Sequence, residues 1–373
     1  MKFTIKKQIL LENLNYVSKA LSSRTIIPIL SGIKLSLTAN ELILEATDDD
    51  LTIKTKIDKK KIEAIEETGS IVVYGRYLLD IVRKLPDDII NIQVFDGFKF
   101  IISSANSKFD LNGMNEKEFP QLNLDLKSNF ITISSNLLKE IVNQTSFASS
   151  TQESRPIITG INFSIKDDNL ECVATDSFRL AKKRIKLNES FNEEVNVVIP
   201  SRNLVELIKI LNEDNQNVEL HIFNNKIIFK FDEILFQSRL LNGSYPDVSA
   251  RIPEKFNFEL QVKYRDLYNA LDRASLLTSE KEKNVIKLEI SGVNGLISSN
   301  IPEIGKVEEK LIFVNEKKED LAIAFSSKYI LEALKSFQQE DIIIHINSEL
   351  EPFILMEKDN NNLIQLIVPI KTY

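Results

Sequence analysis

Apolar residues recur along the chain with two periods. Three ten-residue stretches carry the helical one: RYLLDIVRKL at 76–85, RNLVELIKIL at 202–211 and KYILEALKSF at 328–337. Leu78, Leu79, Val82 and Leu85 form one apolar face of the first. Leu204, Val205, Ile208 and Leu211, then Ile330, Leu331, Leu334 and Phe337, repeat that face. Elsewhere the period is two. NVELHIFNNKIIFKF (217–231) alternates Val218, Leu220 and Ile222 and turns at an Asn-Asn pair, and INIQVFDGFKFII (90–102) turns at Asp96-Gly97. Both predict antiparallel hairpins.

The helical stretches begin at 76, 202 and 328, so both spacings are 126. Each has a base first (Arg76, Arg202, Lys328), an acid four residues on (Asp80, Glu206, Glu332) and a base at the eighth position (Arg83, Lys209, Lys335). EFP ends at Pro120 and SYP at Pro246, again 126 apart. KFTI (2–5) returns as NFIT (129–132) and NFEL (257–260). IPILSGIKL (27–35) parallels RPIITGINF (155–163), and ATD occurs at 46–48 and 174–176. The last third lacks that Pro, that Gly and the ATD. Self-similarity at a fixed period signals repeated domains. The expected architecture is α+β: three tandem domains, 1–125, 126–250 and 251–373, each with two helices and mostly antiparallel strands.

Composition narrows the function. With 373 residues, 43% hydrophobic and 27% charged, the chain is globular in character. A net charge of −7 argues against bulk attraction to nucleic acid but leaves room for a local basic surface. Cys172 is the single cysteine, which excludes an intrachain disulfide and suits a reducing compartment. MKFTIKKQILLENL lacks a signal-peptide core, and no apolar run approaches the ~20 residues of a membrane span. A cytoplasmic, soluble chain with no membrane partner is expected.

No Gly-rich phosphate loop, zinc-protease motif or nucleophile elbow is present, so no cofactor, metal or catalytic residue is assigned. His221 and His345 read as solvated strand histidines. ATDDDL (46–51) reads as a strand-end turn, the alternative being a divalent cation at Asp48–Asp50 in an enzyme.

Residues i, i+4 and i+7 share a helix face, so each repeated helix presents two bases to one acid. Lys7, Lys19, Arg24, Lys139, Arg155, Arg265 and Arg273 add basic charge in the first half of each unit. A net positive stripe repeated three times suits phosphate. The rival reading is a repeat scaffold that binds only proteins, its stripes serving solubility. Geometry bears on the choice: domains of ~124 residues are about 35 Å across. Three such spheres closed into a ring leave almost no hole, whereas six leave one of roughly 35 Å, wide enough for a duplex. Such a ring needs two chains joined head to tail.

The motifs SSRTIIPILSGIKL, GRYLLDIVRKLP, VATDSFRLA, LLNGSYPDV and IVPIKTY, in this order over essentially all of the chain, resemble the bacterial DNA polymerase III beta subunit family, the sliding clamps. The resemblance implies the DNA-clamp fold in three copies. Helices would line the channel of a ring, antiparallel sheets would form its outer rim, and two chains would form a head-to-tail homodimer without enzymatic activity. It implies double-stranded DNA as a sequence-independent partner, faced by Arg24, Arg76, Arg155 and Arg202. Arg83, Lys209, Lys328 and Lys335 join them on the repeat alone. It implies a cleft that takes short linear motifs of the clamp loader, the replicative polymerase and repair proteins. The matching cleft positions are Ile158, Thr175, Leu180, Pro246, Tyr329, Val368, Pro369 and Ile370. Phe178 stands where many relatives carry His and makes that wall more apolar. VSAR, just beyond Pro246-Asp247, departs from a more basic family pattern. The dimer contact would set Phe109 and Leu111 of one protomer against Leu276 and Leu277 of its partner.

Overall fold

The computed structural model describes residues 1–22, 26–212, 214–248, 252–253, 255–315 and 319–371. Among them are six α-helices: α1 Lys7–Val17, α2 Gly75–Lys84, α3 Ser135–Thr145, α4 Ser201–Ile208, α5 Tyr264–Ser275 and α6 Ser327–Leu334. The 126-residue spacing survives folding, since α2, α4 and α6 start at 75, 201 and 327. Their apolar faces are buried through Leu78 and Val82 in α2, Leu204 and Leu207 in α4, and Ile330, Ala333 and Leu334 in α6, whereas Leu79, Val205, Ile208 and Leu331 of the predicted faces are half-buried. The second and third helices are shorter than the apolar pattern, which extends to Leu211 and Phe337. Each closes in tighter i→i+3 turns, Ile210 N–H to Leu207 O (3.1 Å) and Ser336 N–H to Ala333 O (3.1 Å). Such a turn satisfies terminal carbonyls while still burying Leu211 and Phe337.

The described residues form two compact units, Met1–Asn136 with Glu206–Leu240, and Leu137–Val205 with Leu241–Tyr373. In the first, one sheet has the order Ile131–Ser134, Asn217–Ile222, Lys226–Phe231, Ile234–Arg239, Leu51–Asp58, Glu41–Thr47, Gly32–Leu37, Gly69–Tyr74. A second runs Ile62–Glu67, Lys2–Lys6, Ile89–Phe95, Lys99–Ser104, Ser107–Asn112. The other unit has a seven-stranded sheet, Gly160–Thr175, Arg179–Pro200, Asn360–Ile367, Phe353–Glu357, Asp341–Ile346, Phe258–Lys263, Val314–Asn315. Its four-stranded sheet is ordered Gly305–Ile312, Asn294–Ile301, Val285–Ser291, Leu321–Ser326. Every paired register is antiparallel. α1 packs on α2 in the first unit and α5 on α6 in the second. No helix among the described residues is long and apolar enough to cross a membrane.

The repeated glycines have a packing reason. A Cβ on Gly32 would fall 2.4 Å from Val72 Cγ1, and one on Gly160 would fall 2.6 Å from Val198 Cγ1. Both positions begin a strand pressed against its neighbour, so only glycine fits. The Asn-Asn hairpin forms as expected, with Glu219 opposite Lys230 and Ile222 opposite Ile227. The Asp96-Gly97 hairpin pairs Phe95 with Lys99, so Phe98 joins the turn. Gly97 and Phe98 are both left-handed there, and the Phe98 carbonyl accepts from Gly113 N–H at 2.7 Å.

One expectation fails. His221 is buried, its Nδ1 3.0 Å from Lys127 O and its Nε2 3.0 Å from Glu219 Oε2. His345 is half-buried and stacked on Phe256 at 4.5 Å between centroids. A phenylalanine covers each ring, but from different positions of the repeat. Phe130, the counterpart of Phe258 in NFIT and NFEL, lies 5.0 Å from His221, and Phe256, two residues before its strand, stacks on His345. Alternation puts a side chain on a sheet's outer face, but a connecting segment can then cover that face.

Candidate functional site

The basic candidates that lie within the described residues, Arg76, Arg83, Arg155, Arg202, Lys209, Lys328 and Lys335, are all exposed. Arg24 lies outside those residues, as does Arg251. Arg76, Arg202 and Lys328 each occupy the second residue of their helix. At the far end the copies differ. Arg83 Nη1 lies 3.3 Å from Asp80 Oδ1, and Lys209 Nζ lies 2.6 Å from Glu206 Oε1. Glu332, the third acid, turns instead to Arg179 Nη1. Three other basic candidates are engaged internally, the first being Lys19, whose Nζ lies 3.8 Å from Glu206 Oε2. Lys7 donates to the Leu85 carbonyl at 2.5 Å, and Arg273 makes a two-pronged pair with Glu309 (2.8 and 2.6 Å) that holds the Glu309 carboxyl below its usual range. Exposed pairs of this kind add little stability, so the charge pattern is a surface property more than a structural one.

The second ATD builds a tight turn between the strands Gly160–Thr175 and Arg179–Pro200. Thr175 Oγ1 donates to Arg179 O (2.6 Å) and accepts from Ser177 N–H (3.1 Å), while Asp176 Oδ1 accepts from Phe178 N–H (2.9 Å) and Arg179 N–H (3.0 Å). Ser177 takes φ 81°. Local side-chain to backbone bonds of this sort are what Thr and Asp offer at turns. They leave Phe178 58% exposed and place Arg155 Nη1 3.0 Å from Ser177 Oγ.

Around this turn the structure gathers the predicted cleft residues. Val368 N–H donates to Phe178 O at 2.9 Å, and Ile370 N–H donates to Ala324 O at 2.7 Å, which ties the last residues beside the turn and beside the strand entering α6. Leu180 is buried with Val173, Ile354, Met356 and Leu366, and Val368 packs against that cluster. Ile158 and Thr175 are buried, whereas Pro246, Tyr329, Val368, Pro369 and Ile370 are half-buried. The arrangement is therefore a buried apolar floor under a partly open apolar rim, with Phe178 as its most exposed group. Such a surface accepts apolar side chains of an extended segment.

Two residues here escaped the sequence reading. Arg179 stands inside the SFRLA motif, and its guanidinium lies 4.5 Å from the Tyr329 ring centroid and 5.4 Å from that of Phe147. Its Nε donates to Asp176 Oδ2 at 3.0 Å, and its partner Glu332 was assigned to the bases of its own helix. The available signal was a mismatch between copies: the repeat position of Arg179 is Leu51.

The proposed dimer residues lie at sheet edges. Phe109 (40% exposed) and half-buried Leu111 sit on Ser107–Asn112, the outermost strand of the five-stranded sheet. Leu276 (79% exposed) caps α5 and Leu277 follows it, half-buried; Gly305–Ile312, against which α5 packs, ends the four-stranded sheet. Asp48 accepts from Asp50 N–H (3.1 Å) and Leu51 N–H (2.7 Å), the strand-end turn expected of ATDDDL.

The N-terminal, central and C-terminal domains of the DNA polymerase III beta subunit match residues 1–124, 132–247 and 250–371. The chain is 41% identical over 378 residues to a beta sliding clamp of Bacillus subtilis and 39% identical over 377 to one of Staphylococcus epidermidis, with all of both chains covered in each case. Its structure is similar to the DNA polymerase sliding clamp of Bacillus subtilis (TM-score 0.96, 40% identity) and to the DNA polymerase III beta chain of Streptococcus pneumoniae (TM-score 0.94, 34% identity), again over the whole of both chains.

Proposed function

The chain belongs to the DNA polymerase III beta subunit family, and from that premise we propose that two copies close head to tail around duplex DNA and tether partner proteins to it. The fold is the three-domain DNA clamp fold, and the role is that of a sliding clamp, a non-catalytic processivity factor. The domains are assigned to 1–125, 126–250 and 251–373.

The observation that carries the DNA reading is the exposed base at the same place in α2, α4 and α6 of a chain with net charge −7. With these helices facing a duplex, Arg76, Arg83, Arg155, Arg202, Lys209, Lys328 and Lys335 meet phosphates. Each phosphate contact contributes a counterion-release slope of about −0.9 in log K against log salt and carries no base information. Enclosure holds the ring on DNA, so the contacts can stay weak enough to slide. Phe109 and Leu111 meet Leu276 and Leu277 of the partner protomer, and two equivalent heterologous contacts close the ring. The rim of Phe178, Pro246, Tyr329 and Val368–Ile370 receives linear motifs of the polymerase, the clamp loader and repair proteins. These encounters take place in the cytoplasm, where the template is.

The test is topological. Protein loaded on a circular duplex is expected to stay bound through a gel-filtration column and to leave when the circle is cut. Double charge reversal, Arg76→Glu with Arg202→Glu, is expected to weaken retention while the two-chain mass persists. Retention that ignores cutting overturns the enclosure. Retention unchanged by the double reversal removes those two residues from the interface.

A further inference from the structure

The acid of α6 is placed differently from its two counterparts, and this links the proposed cleft to the proposed phosphate face. In the first and second copies the acid pairs with the base three residues on, Asp80 with Arg83 and Glu206 with Lys209. In α6, Glu332 is taken by Arg179, a residue about nine-tenths buried that also holds Asp176 and stacks on Tyr329. Among the described residues no carboxylate then forms an ion pair with Lys328 or Lys335. In the first copy the position of Arg179 is Leu51, which carries no charge; Glu206 is reached instead by Lys19 Nζ at 3.8 Å and keeps Lys209 at 2.6 Å.

We propose that Glu332 is exchanged between the peptide cleft and the phosphate face of α6, so that a peptide bearing a carboxylate and a DNA duplex oppose each other's binding. This rests on the reading of the cleft and of α6 given above. With the cleft empty, Arg179 holds Glu332, and Lys328 and Lys335 present their full charge to phosphate. An acidic side chain that docks beside Phe178 and Tyr329 competes for the Arg179 guanidinium. The released Glu332 lies three residues before Lys335, the same relation as Asp80 to Arg83 and Glu206 to Lys209, and it neutralises one base of the phosphate face. Arg179 is largely shielded from water, so competition for it is screened less than an exchange between exposed groups. Linkage makes the effect reciprocal: duplex held by Lys335 weakens the acidic peptide by the same factor.

The probes are a fluorescent DNA duplex titrated across salt, a capped hexapeptide with one aspartate among leucines, and its asparagine analogue. With the wild-type dimer, saturating aspartate peptide is expected to weaken duplex binding about two- to fivefold more than the asparagine peptide. It should also lower the salt slope by about one contact's worth. Glu332→Gln should erase the difference between the peptides, because no acid is left to exchange. Arg179→Met should reduce the slope without any peptide, and Glu332→Gln keeps the test decisive if that variant folds poorly. Equal slopes with the two peptides, or a difference that survives Glu332→Gln, overturns the exchange while leaving the clamp reading intact. Failure of the wild type to bind either peptide overturns the cleft assignment and the exchange with it.

Discussion

The two ATD turns are built on one backbone and lined with opposite chemistry. At Thr47–Leu51 the threonine accepts from Asp49 N–H at 3.1 Å and Asp49 takes φ 80°; at Thr175–Arg179 the threonine accepts from Ser177 N–H at 3.1 Å and Ser177 takes φ 81°. Arg239 N–H donates to Asp50 O at 2.8 Å, and Val368 N–H donates to Phe178 O at 2.9 Å. Gln237 lies opposite Thr52 in the first sheet, as Leu366 lies opposite Leu180 in the second. The side chains at matching positions are Asp50 against Phe178, Thr52 against Leu180, Gln237 against Leu366 and Arg239 against Val368. The first site is a polar hollow of about 200 Å³ in which Arg239 pairs with Asp49 (3.4 Å) and Asp50 (3.6 Å). The second exposes Phe178 above an apolar floor. A shared frame thus makes two sockets, and four or five side chains decide that only one of them suits an apolar peptide.

The strongest way to break the comparison is to give the second socket the chemistry of the first. Phe178→Asp with Val368→Arg keeps the backbone bond, which both chemistries already use, and supplies an internal ion pair like that of Asp50 and Arg239. Partner-peptide affinity is expected to fall at least about tenfold, since an exposed aromatic anchor is lost and a charge is set in its place. The melting temperature should fall only modestly, because Phe178 contributes little buried surface and Val368, packed on the Leu180 cluster, is itself only half-buried. Peptide affinity within twofold of wild type, measured by anisotropy, would separate the cleft from this turn.

Much of this was legible in the sequence and some was not, for definite reasons. The 126-residue spacing appears directly as the starts of α2, α4 and α6, because helix position follows the apolar period that the repeat preserves. Gly32 and Gly160 were visible as repeats, though their cause, a neighbouring valine side chain, needs tertiary packing to appear. The helix ends at Ile208 and Leu334 were missed, since an apolar residue is buried equally well by an i→i+3 turn. The role of Glu332 was missed for a related reason. Helix spacing pointed to Lys335, and a partner 153 residues away outcompeted it. His221 and His345 were misplaced because strand alternation is blind to the phenylalanine that arrives from a connecting segment.

A smaller effect sharpens the division between frame and lining. Thr175→Val removes a donor to Arg179 O and the acceptor for Ser177 N–H; Thr47→Val removes the acceptor for Asp49 N–H and the 2.8 Å bond to Thr52 Oγ1. Each substitution is expected to cost about 1–3 kcal/mol of stability, because a buried polar partner is left unpaired. Only Thr175→Val should also reduce peptide affinity. Denaturant unfolding alongside peptide titration of both variants reads the two effects separately, and equal loss of peptide binding in both would contradict the assignment of one functional socket.

The weakest effect concerns the two covered histidines, which again share a frame and differ in lining. His221 has an acceptor at each ring nitrogen, Lys127 O and Glu219 Oε2, whereas buried His345 Nδ1 makes no hydrogen bond among the described residues and has only Glu259 Oε2 at 3.8 Å. Burial beside Phe256 favours the neutral imidazole and pushes the His345 pKa down, and the Glu259 carboxylate offsets part of that shift. A folded-state pKa below the unfolded one means that the unfolded chain takes up the proton first. Stability tied to His345 is therefore complete above the ordinary histidine pKa and is lost as pH falls through that value toward the lower folded one. Glu259→Gln removes the offset and should steepen the loss on acidification from pH 7 to 5, while His345→Leu should flatten it, its ring nitrogen having no bond to forfeit. Melting temperatures across that interval test the pair; a Glu259→Gln profile parallel to wild type would show that the carboxylate does not reach the ring.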